Sequence, residues 1–290
     1  MHFGEAFVFL EPFRVCPIMN HPSYLSVFLT FARNSLIRDM TFRANFIIEI
    51  ISSMSWMIMN LGFYTLVYKF TPNIAAWGKY EFFVFISTTM FVNSLVQSFF
   101  MPNMQELSEL VRTGGMDFAI LKPIDTQFLI SFRRVNWSSL GNFLVALLLL
   151  GYSLPQIEDL ELSLWQFVLY PLYIFLGVLI LYSVMITLAA TSIWLGRNQS
   201  LYDFWFYITN FSRYPMEIYR GTWGTPLRNL FTFVIPILVV INVPARLMAK
   251  PLADAQWQLA LFAIVATVVS LIVSRWVFNR ALLSYRSASS

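Results

Sequence analysis

The sequence is poor in charged residues, cysteine and histidine. Only 12% of its 290 residues are Asp, Glu, Lys or Arg, roughly half the share found in ordinary soluble domains. Cys16 is the single cysteine, which excludes an intrachain disulfide, and only His2 and His21 could join it in a metal site. We therefore predict a structural or incidental role for Cys16, and no metal or cofactor held by this chain.

Short catalytic motifs are also missing. The chain contains no GxxxxGK[ST] phosphate loop, no HExxH pair and no GxSxG elbow, so it has none of the usual sites for ATP, peptide or ester hydrolysis. A membrane enzyme acting on a lipid would need His, Asp or Glu clustered at one interface, whereas both histidines precede residue 22. We therefore predict that the chain is not an enzyme.

Long apolar runs dominate what is present. Hydrophobic residues make up 58% of the chain, and the mean hydropathy is +0.65. A helix needs about 20 apolar residues to cross a bilayer, whereas a membrane barrel shows short alternating segments. The predicted fold class is therefore all-α integral membrane, with residues 1–290 as one transmembrane domain.

The apolar runs predict six transmembrane helices, five of which have clear positions. The second ends at Pro102 and Asn103, because proline disfavours a continuing helix. The five clear spans cover residues 44–68, 82–101, 137–152, 164–193 and 257–278.

The chain before the first span has a different pattern. Residues 24–42 mix apolar and charged side chains at helical spacing, which predicts an amphipathic helix on the membrane surface. A first helix that simply continues into the bilayer is the alternative. The domain thus divides into an N-terminal interface segment (1–43), a six-span region (44–278) and a tail (279–290).

The segment 199–243 holds the remaining span, and two layouts fit it. In one, residues 201–211 form a short fifth span, and residues 227–243, broken by Pro236, form a re-entrant element on the outer side. In the other, the arginines between 213 and 228 stay inside and residues 227–243 are the fifth span. The count of Lys and Arg favours the second layout, whereas the proline break favours the first.

Loop charge predicts the orientation of the chain. Residues 103–134 form the longest polar stretch and carry four Lys or Arg residues, which places this loop in the cytoplasm. Residues 153–163 carry three acidic residues and no Lys or Arg, which places that loop outside. Both termini are then cytoplasmic.

The predicted spans lack an ionisable residue near their middle. Glu49, Glu81 and Asp203 all lie close to span ends. A carrier driven by a proton or sodium gradient usually keeps such a residue at the midplane, because the residue is costly there and persists only for function. The remaining classes are a channel, a structural protein, and a permease subunit driven by a partner on the cytoplasmic side.

The cytoplasmic loop 101–134 has features of a partner-binding segment. The spacing predicts a short helix up to Arg112, lying across the bilayer plane and ended by Gly114 and Gly115. An apolar knob follows before Pro123, which a groove in a soluble partner could hold; a merely amphipathic interfacial loop is the alternative. The helix has apolar residues Met104, Leu107, Leu110 and Val111 on one side, and the knob consists of Phe118, Ile120 and Leu121.

This loop also resembles a known family. Residues 112–137, RTGGMDFAILKPIDTQFLISFRRVNW, are similar to the RTGxLDFxLLrPvxxxFxxsfrr signature of ABC-2 type export permeases, in the subfamily once grouped as a domain of unknown function. The departures are Gly115, where Glu or Asp is commoner, and Lys122, where Arg is commoner. The similarity continues through RYPMEIY at 213–219, FVIPILVVINVPARLM at 233–248 and WVFNRALLSYRSAS at 276–289.

The resemblance implies a permease subunit of an ATP-binding cassette exporter in the bacterial cytoplasmic membrane. Such a subunit has six spans, an N-terminal interface helix and a cytoplasmic coupling helix that docks on a separate ATPase, which binds ATP and Mg. It pairs with a second permease chain, identical or paralogous, and binds no nucleic acid. An ATPase-independent channel or scaffold is the alternative function. By the motif match, the coupling region comprises Leu110, Arg112, Thr113, Gly114, Asp117, Leu121 and Pro123.

The substrate is not identified by any motif. The aromatic content of 18% permits a hydrophobic or cationic aromatic substrate, although packing against lipid explains the same residues more simply. Several polar residues inside the spans could face a transport path, but hydrogen bonding between packed helices is the simpler prediction. These residues are Asn60, Asn93, Gln97, Asn142 and Thr187.

Overall fold

The structure is a computed structural model that describes residues 23–41, 43–158, 162–195, 206–207, 210–251 and 256–286. Within these ranges the chain is helical and has no β-strand, which confirms the all-α fold class. The predictions about Cys16, the two histidines and Asp203 concern residues outside these ranges.

Twelve helices are named here in chain order. They are α1 (Tyr24–Thr41), α2 (Arg43–Phe70), α3 (Lys79–Phe99), α4 (Met101–Arg112), α5 (Gly115–Ile120), α6 (Thr126–Phe132), α7 (Leu140–Ser153), α8 (Leu164–Ala190), α9 (Ser192–Leu195), α10 (Gly221–Asn229), α11 (Ile237–Ala249) and α12 (Trp257–Ser284).

Four continuous helical stretches are long and apolar enough to cross a membrane. A π-helical turn extends α10 to Val234, and this extended helix meets α11 at 88°. The two together count as a fifth span if they are taken as one bent helix. α7 is apolar but shorter. The number of six spans therefore stays a prediction. The four stretches are Phe46–Phe70, Lys79–Arg112, Leu164–Leu195 and Trp257–Ser284.

The core of the bundle forms around α3. Phe82, Phe85 and Val92 on this helix are fully buried, because α7, α8 and α11 all pack against it. α12 packs on the far side against α8. α2 lies at the periphery instead, and Trp56 and Ile58 on this helix are 55% and 66% exposed. Its apolar surface is therefore free to contact lipid or another chain.

The second predicted span does not stop at its proline, and this corrects the sequence analysis. α4 continues α3 as one helical stretch of 34 residues, Lys79–Arg112, rather than lying across it. Pro102 occupies the first turn of α4, where its missing N–H costs no hydrogen bond. Asn103 secures the joint by donating to the carbonyl oxygens of Phe99 and Arg134, both at 2.7 Å.

α1 packs at the same end of the bundle as α4. The indole of Trp137 donates to the carbonyl oxygen of Ala32 at 3.1 Å, and the backbone N–H of Val135 donates to the Ser35 hydroxyl at 3.1 Å. The Phe28 ring contacts one phenylalanine ring at the end of α3 and another at the end of α6. α1 is therefore attached to the segment after α6, while its place on the membrane surface stays a prediction.

The bent pair of α10 and α11 enters and leaves the bundle at one end. Glu217, just before α10, accepts a hydrogen bond from the Trp77 indole and pairs with Arg246 near the end of α11 at 2.6 Å. Lys250, just after α11, bonds to the carbonyl oxygen of Ala76 at 3.0 Å. Since Trp77 and Ala76 lie in one loop between α2 and α3, the pair has the geometry of a re-entrant element. The first of the two predicted layouts fits this arrangement, and its span 201–211 lies mostly outside the described residues.

Candidate functional site

The predicted apolar knob is present on the surface beyond α4. Thr113 caps α4, and Gly114 follows with φ 75°, a left-handed conformation that glycine adopts without strain. The turn directs α5 outward, and the side chains of Phe118 and Leu121 are 72% and 81% exposed. Ile120 is 42% exposed. These three residues form one solvent-facing apolar patch.

The knob has a rigid base. Met104, Leu107 and Met116 are fully buried on the opposite side of the same elements, and α4 packs against α5, α6 and α8. Glu106 on α4 pairs with Arg134 at 3.0 Å after α6. The knob therefore stands on packed helices and not on a loose loop.

The remaining predicted coupling residues lie around the knob. Thr113 is exposed, Leu110 and Asp117 are half-buried, and Pro123 is exposed. The exposed Arg112 donates to Glu109 at 2.9 and 2.6 Å, which lowers the pKa of the Glu109 carboxyl. The structure thus brings all seven of them together at one end of the bundle, while their role in coupling stays a prediction.

Asp125 joins three elements next to the knob. Its carboxylate caps α6 by accepting from the backbone N–H of Phe128 at 2.9 Å. Arg275 of α12 donates to the same carboxylate at 3.0 Å and to Gln127 at 2.9 Å. The Arg275 guanidinium holds the pKa of Asp125 below its usual value. Gln127 in turn donates to the hydroxyl of Tyr182 on α8 at 2.9 Å.

The C-terminal end of α12 also lies near the coupling region. Burial and the neighbouring Asp117 carboxylate raise the pKa of the Tyr285 hydroxyl, which directly follows α12. The C-terminal end of α12 therefore meets the segment 101–134 at two places, Asp125 and Asp117. Sequence reasoning missed these contacts, because residues 150 positions apart show no local signal of pairing.

A second site is a polar cavity of about 240 Å³ between α2, α3 and α7. Its polar residues repeat at helical spacing on two helices, which puts them on facing sides. They are Ser53, Asn60 and Tyr64 on α2, and Thr89, Asn93, Ser94 and Gln97 on α3, with Asn142 on α7 and Arg213 completing the lining.

Four of the five polar residues singled out in the spans line this cavity. Asn60 uses its amide to donate to the carbonyl oxygen of Trp56 at 2.7 Å, and the Asn142 amide lies 3.4 Å from the Ser53 hydroxyl. The fifth, Thr187, donates to its own helix and lies elsewhere. Of these five residues, Asn142 bonds to a neighbouring helix, whereas Asn93 and Gln97 line the cavity and form no side-chain hydrogen bond to a described residue.

Arg213 is the one charged residue in the cavity lining. It forms no ion pair with any described residue. Sequence reasoning treated Arg213 only as a marker of topology. The period of three to four residues in Thr89, Asn93 and Gln97 was a usable signal for a polar helix face. Within the described ranges, no group of three or more His, Cys, Asp or Glu side chains could hold a metal ion.

Comparison with known proteins gives one match. Residues 54–289 match a family described as ABC-2 family transporter protein. No curated protein and no solved structure matches the chain. The matched range begins within α2 and includes the knob, nearly all of the cavity lining and the re-entrant pair.

Proposed function

This chain belongs to the ABC-2 transporter family, and from that membership we propose that it is the permease subunit of an ATP-driven exporter. Membership makes it a membrane component of a transporter whose energy comes from an ATP-binding cassette ATPase. The finer parts of the proposal are export as the direction, a hydrophobic or amphipathic substrate, a second permease chain, and the bacterial cytoplasmic membrane.

The exposed apolar knob is the observation that supports this function best. A monomer gains nothing by holding Phe118 and Leu121 in water on a firmly packed base. An apolar groove on a soluble ATPase would bury this patch. The channel or scaffold alternative assigns no role to such a patch.

The proposed mechanism follows from the way the knob is connected. ATP and Mg bind in the partner, and closure of the partner's nucleotide sites moves the docked knob. α4 carries that movement into α3, and the ion pair between Asp125 and Arg275 carries it into α12. The permease pair then opens a path along α2 and α3. This chain's own residues supply docking, transmission and a binding surface, and no chemical step.

A matched pair of leucine substitutions tests the docking role. Leu121 and Leu164, which lie at opposite ends of the bundle, are 81% and 84% exposed. We expect Leu121→Asp to abolish recovery of the ATPase in a mild-detergent purification from the native host, because a carboxylate in an apolar groove is costly. Leu164→Asp should leave the complex intact. Full recovery of the ATPase with Leu121→Asp would contradict the assignment of the knob.

The same purification from the wild-type host identifies the partners. Mass spectrometry should find an ATPase with a phosphate-binding loop, either with this chain alone or with a second permease of similar size. The first result indicates a homomeric permease pair and the second a heteromeric one. Recovery of this chain without any ATPase under several gentle conditions would favour the channel or scaffold.

A further inference from the structure

The residues that line the cavity between α2, α3 and α7 indicate which kind of ligand it fits. The described residues of its lining supply amides, hydroxyls and one guanidinium, and none of them carries a carboxylate. Inside a membrane protein the low dielectric strengthens interactions between charges. A cationic ligand would meet Arg213 with no negative group to offset the repulsion. An anionic ligand would meet a cation and several hydrogen-bond donors.

The nearest candidate partner of Arg213 in the sequence is already engaged. Glu217 lies four residues further on, but one of its carboxylate oxygens pairs with Arg246 at 2.6 Å and the other accepts from the Trp77 indole at 3.2 Å. Arg213 is half-buried and is one of the residues that line the cavity. A cation in this position that has no ion pair among the described residues would gain from an anionic ligand beside it.

Two amides that line the cavity on α3 also have no hydrogen-bond partner in the part of the chain that the structure describes. Asn93 and Gln97 are half-buried and project from α3 into the cavity, and neither forms a side-chain hydrogen bond to a described residue. Amides in a membrane span normally bond across helices. These two are therefore free to donate to oxygen atoms of a ligand.

The cavity lining also contains apolar side chains, and one of them reaches the surface of the bundle. They are Trp56 and Met57 on α2 and Ile86 and Met90 on α3, of which Trp56 is 55% exposed. The apolar tail of a ligand can lie along α2, which is at the periphery of the bundle. The polar head would stay among the amides.

We infer that the substrate is an amphiphile with a single oxyanion head group, a phosphate ester or a carboxylate, held by Arg213, Asn93 and Gln97. This inference rests on the proposed function, because it takes the cavity as part of the transport path. The inference narrows the proposed substrate class from hydrophobic or amphipathic molecules to anionic amphiphiles, and it excludes organic cations.

Binding to the full-length chain in neutral lipid nanodiscs, without the ATPase, tests the inference. The probes are dodecyl phosphate, dodecyltrimethylammonium and dodecanol, which share one tail, and inorganic phosphate, which has none. Dodecyl phosphate should bind best, and inorganic phosphate should not displace it, because the tail contributes to binding. Tighter binding of the ammonium probe, or displacement by inorganic phosphate alone, would overturn the proposal of an anionic amphiphile.

Substitutions then locate the site. Arg213→Gln should weaken the binding of dodecyl phosphate about tenfold, since one charge-assisted hydrogen bond is lost. It should weaken the binding of dodecanol by less than about twofold. The retained dodecanol binding shows that Arg213→Gln folds, and Arg213→Lys, which keeps the charge, should retain most of the affinity for dodecyl phosphate. The control Arg220→Gln changes an exposed arginine nearby and should bind like wild type. Equal binding by Arg213→Gln and wild type would overturn the site.

A photoreactive dodecyl phosphate gives an independent readout. Cross-links should fall in peptides 53–64 and 86–97, and unlabelled dodecyl phosphate should suppress them. Cross-links confined to other helices would overturn the assignment. Because no ATPase is present, failure here leaves the ATPase purification as a separate test of the proposed function.

Discussion

Gly177 shows how one residue sets the distance between two helices. A Cβ added at this position on α8 would lie 2.8 Å from both the backbone oxygen and a methyl carbon of Val240 on α11. The backbone of a packed helix has no room to move away. The absence of a side chain at Gly177 therefore permits the close contact that holds the re-entrant pair against the bundle.

We predict that Gly177→Ala destabilises the protein by about 1–3 kcal/mol, the usual cost of overpacking. Gly151 on α7 is the control, because a Cβ there meets nothing within 4 Å. Gly151→Ala should be neutral or stabilising by up to about 1 kcal/mol, as alanine is the better helix former. Thermal unfolding of the purified variants measures both, and equal melting temperatures would contradict the tight α8–α11 contact.

At the scale of elements, Asp125 is the point where three helices meet. It caps α6, pairs with Arg275 on α12, and reaches Tyr182 on α8 through Gln127. α6 packs on α4 and α5, and these bonds tie it in addition to α8 and α12. A change in the charge of Asp125 should therefore affect the attachment of the cytoplasmic segment to the bundle.

The ion pair makes this attachment dependent on pH. Because Arg275 lowers the pKa of Asp125 in the folded protein, its stabilisation is complete above the usual carboxyl pKa of about 3.9 and is lost as the pH falls through the lowered value. We expect Asp125→Asn to melt below wild type at neutral pH, and the difference to vanish under strong acid.

Glu109 provides the control for this pH experiment. Arg112 lowers the pKa of Glu109 as well, but that pair is exposed and lies within one helix. Exposed pairs of this kind contribute little, so Glu109→Gln should melt like wild type at every pH. If the melting temperature of Asp125→Asn stayed below that of wild type by the same amount from neutral to acid pH, the result would indicate lost packing instead of a lost ion pair.

The sequence predicted those elements whose signal is local. The run of apolar residues located α8 from residue 164 and α12 from residue 257, and Gly114 correctly marked the end of α4. Pro102 misled the prediction, because proline ends a helix in its interior but fits its first turn. The pairing of Glu217 with Arg246 decides how residues 221–249 run, and no local pattern reveals it.

Local sequence patterns were also insufficient to predict the cavity. Its polar residues were visible in the sequence, but their use depends on which helices face one another. Asn60 bonds within its own helix, whereas Gln97 faces the cavity. Arg213 comes to the same cavity from a segment more than a hundred residues away. Only the packing of α2, α3 and α7 distinguishes a binding residue from a structural one.

At the scale of the whole molecule, the two ends of the bundle differ in chemistry. One end carries α1, α4 and the apolar knob. The other carries the loop with Trp77, and the ion pairs of Arg246 and Lys250 with Glu217 and Glu81. The positive-inside rule places the first end in the cytoplasm.

Cysteine labelling tests this orientation. In a Cys16→Ser background, single cysteines at Arg220, Pro251 and Leu121, all exposed, can react with a membrane-impermeant maleimide. We expect labelling at 220 and 251 in intact cells, and at 121 only after the membrane is opened. Labelling at 251 but not 220 in intact cells would restore the layout in which residues 227–243 cross the membrane.

α3 and α4 form one continuous helical stretch that can turn as a rigid unit. Its 34 residues extend about 51 Å, well beyond the roughly 30 Å of the hydrocarbon core. Asn103 clamps the joint, so the two parts turn together. A tilt of about 10° around the centre moves each end by about 4 Å. We therefore expect a pull at the knob to reach the Trp77 end as one rotation, without a relay of side-chain rearrangements between them.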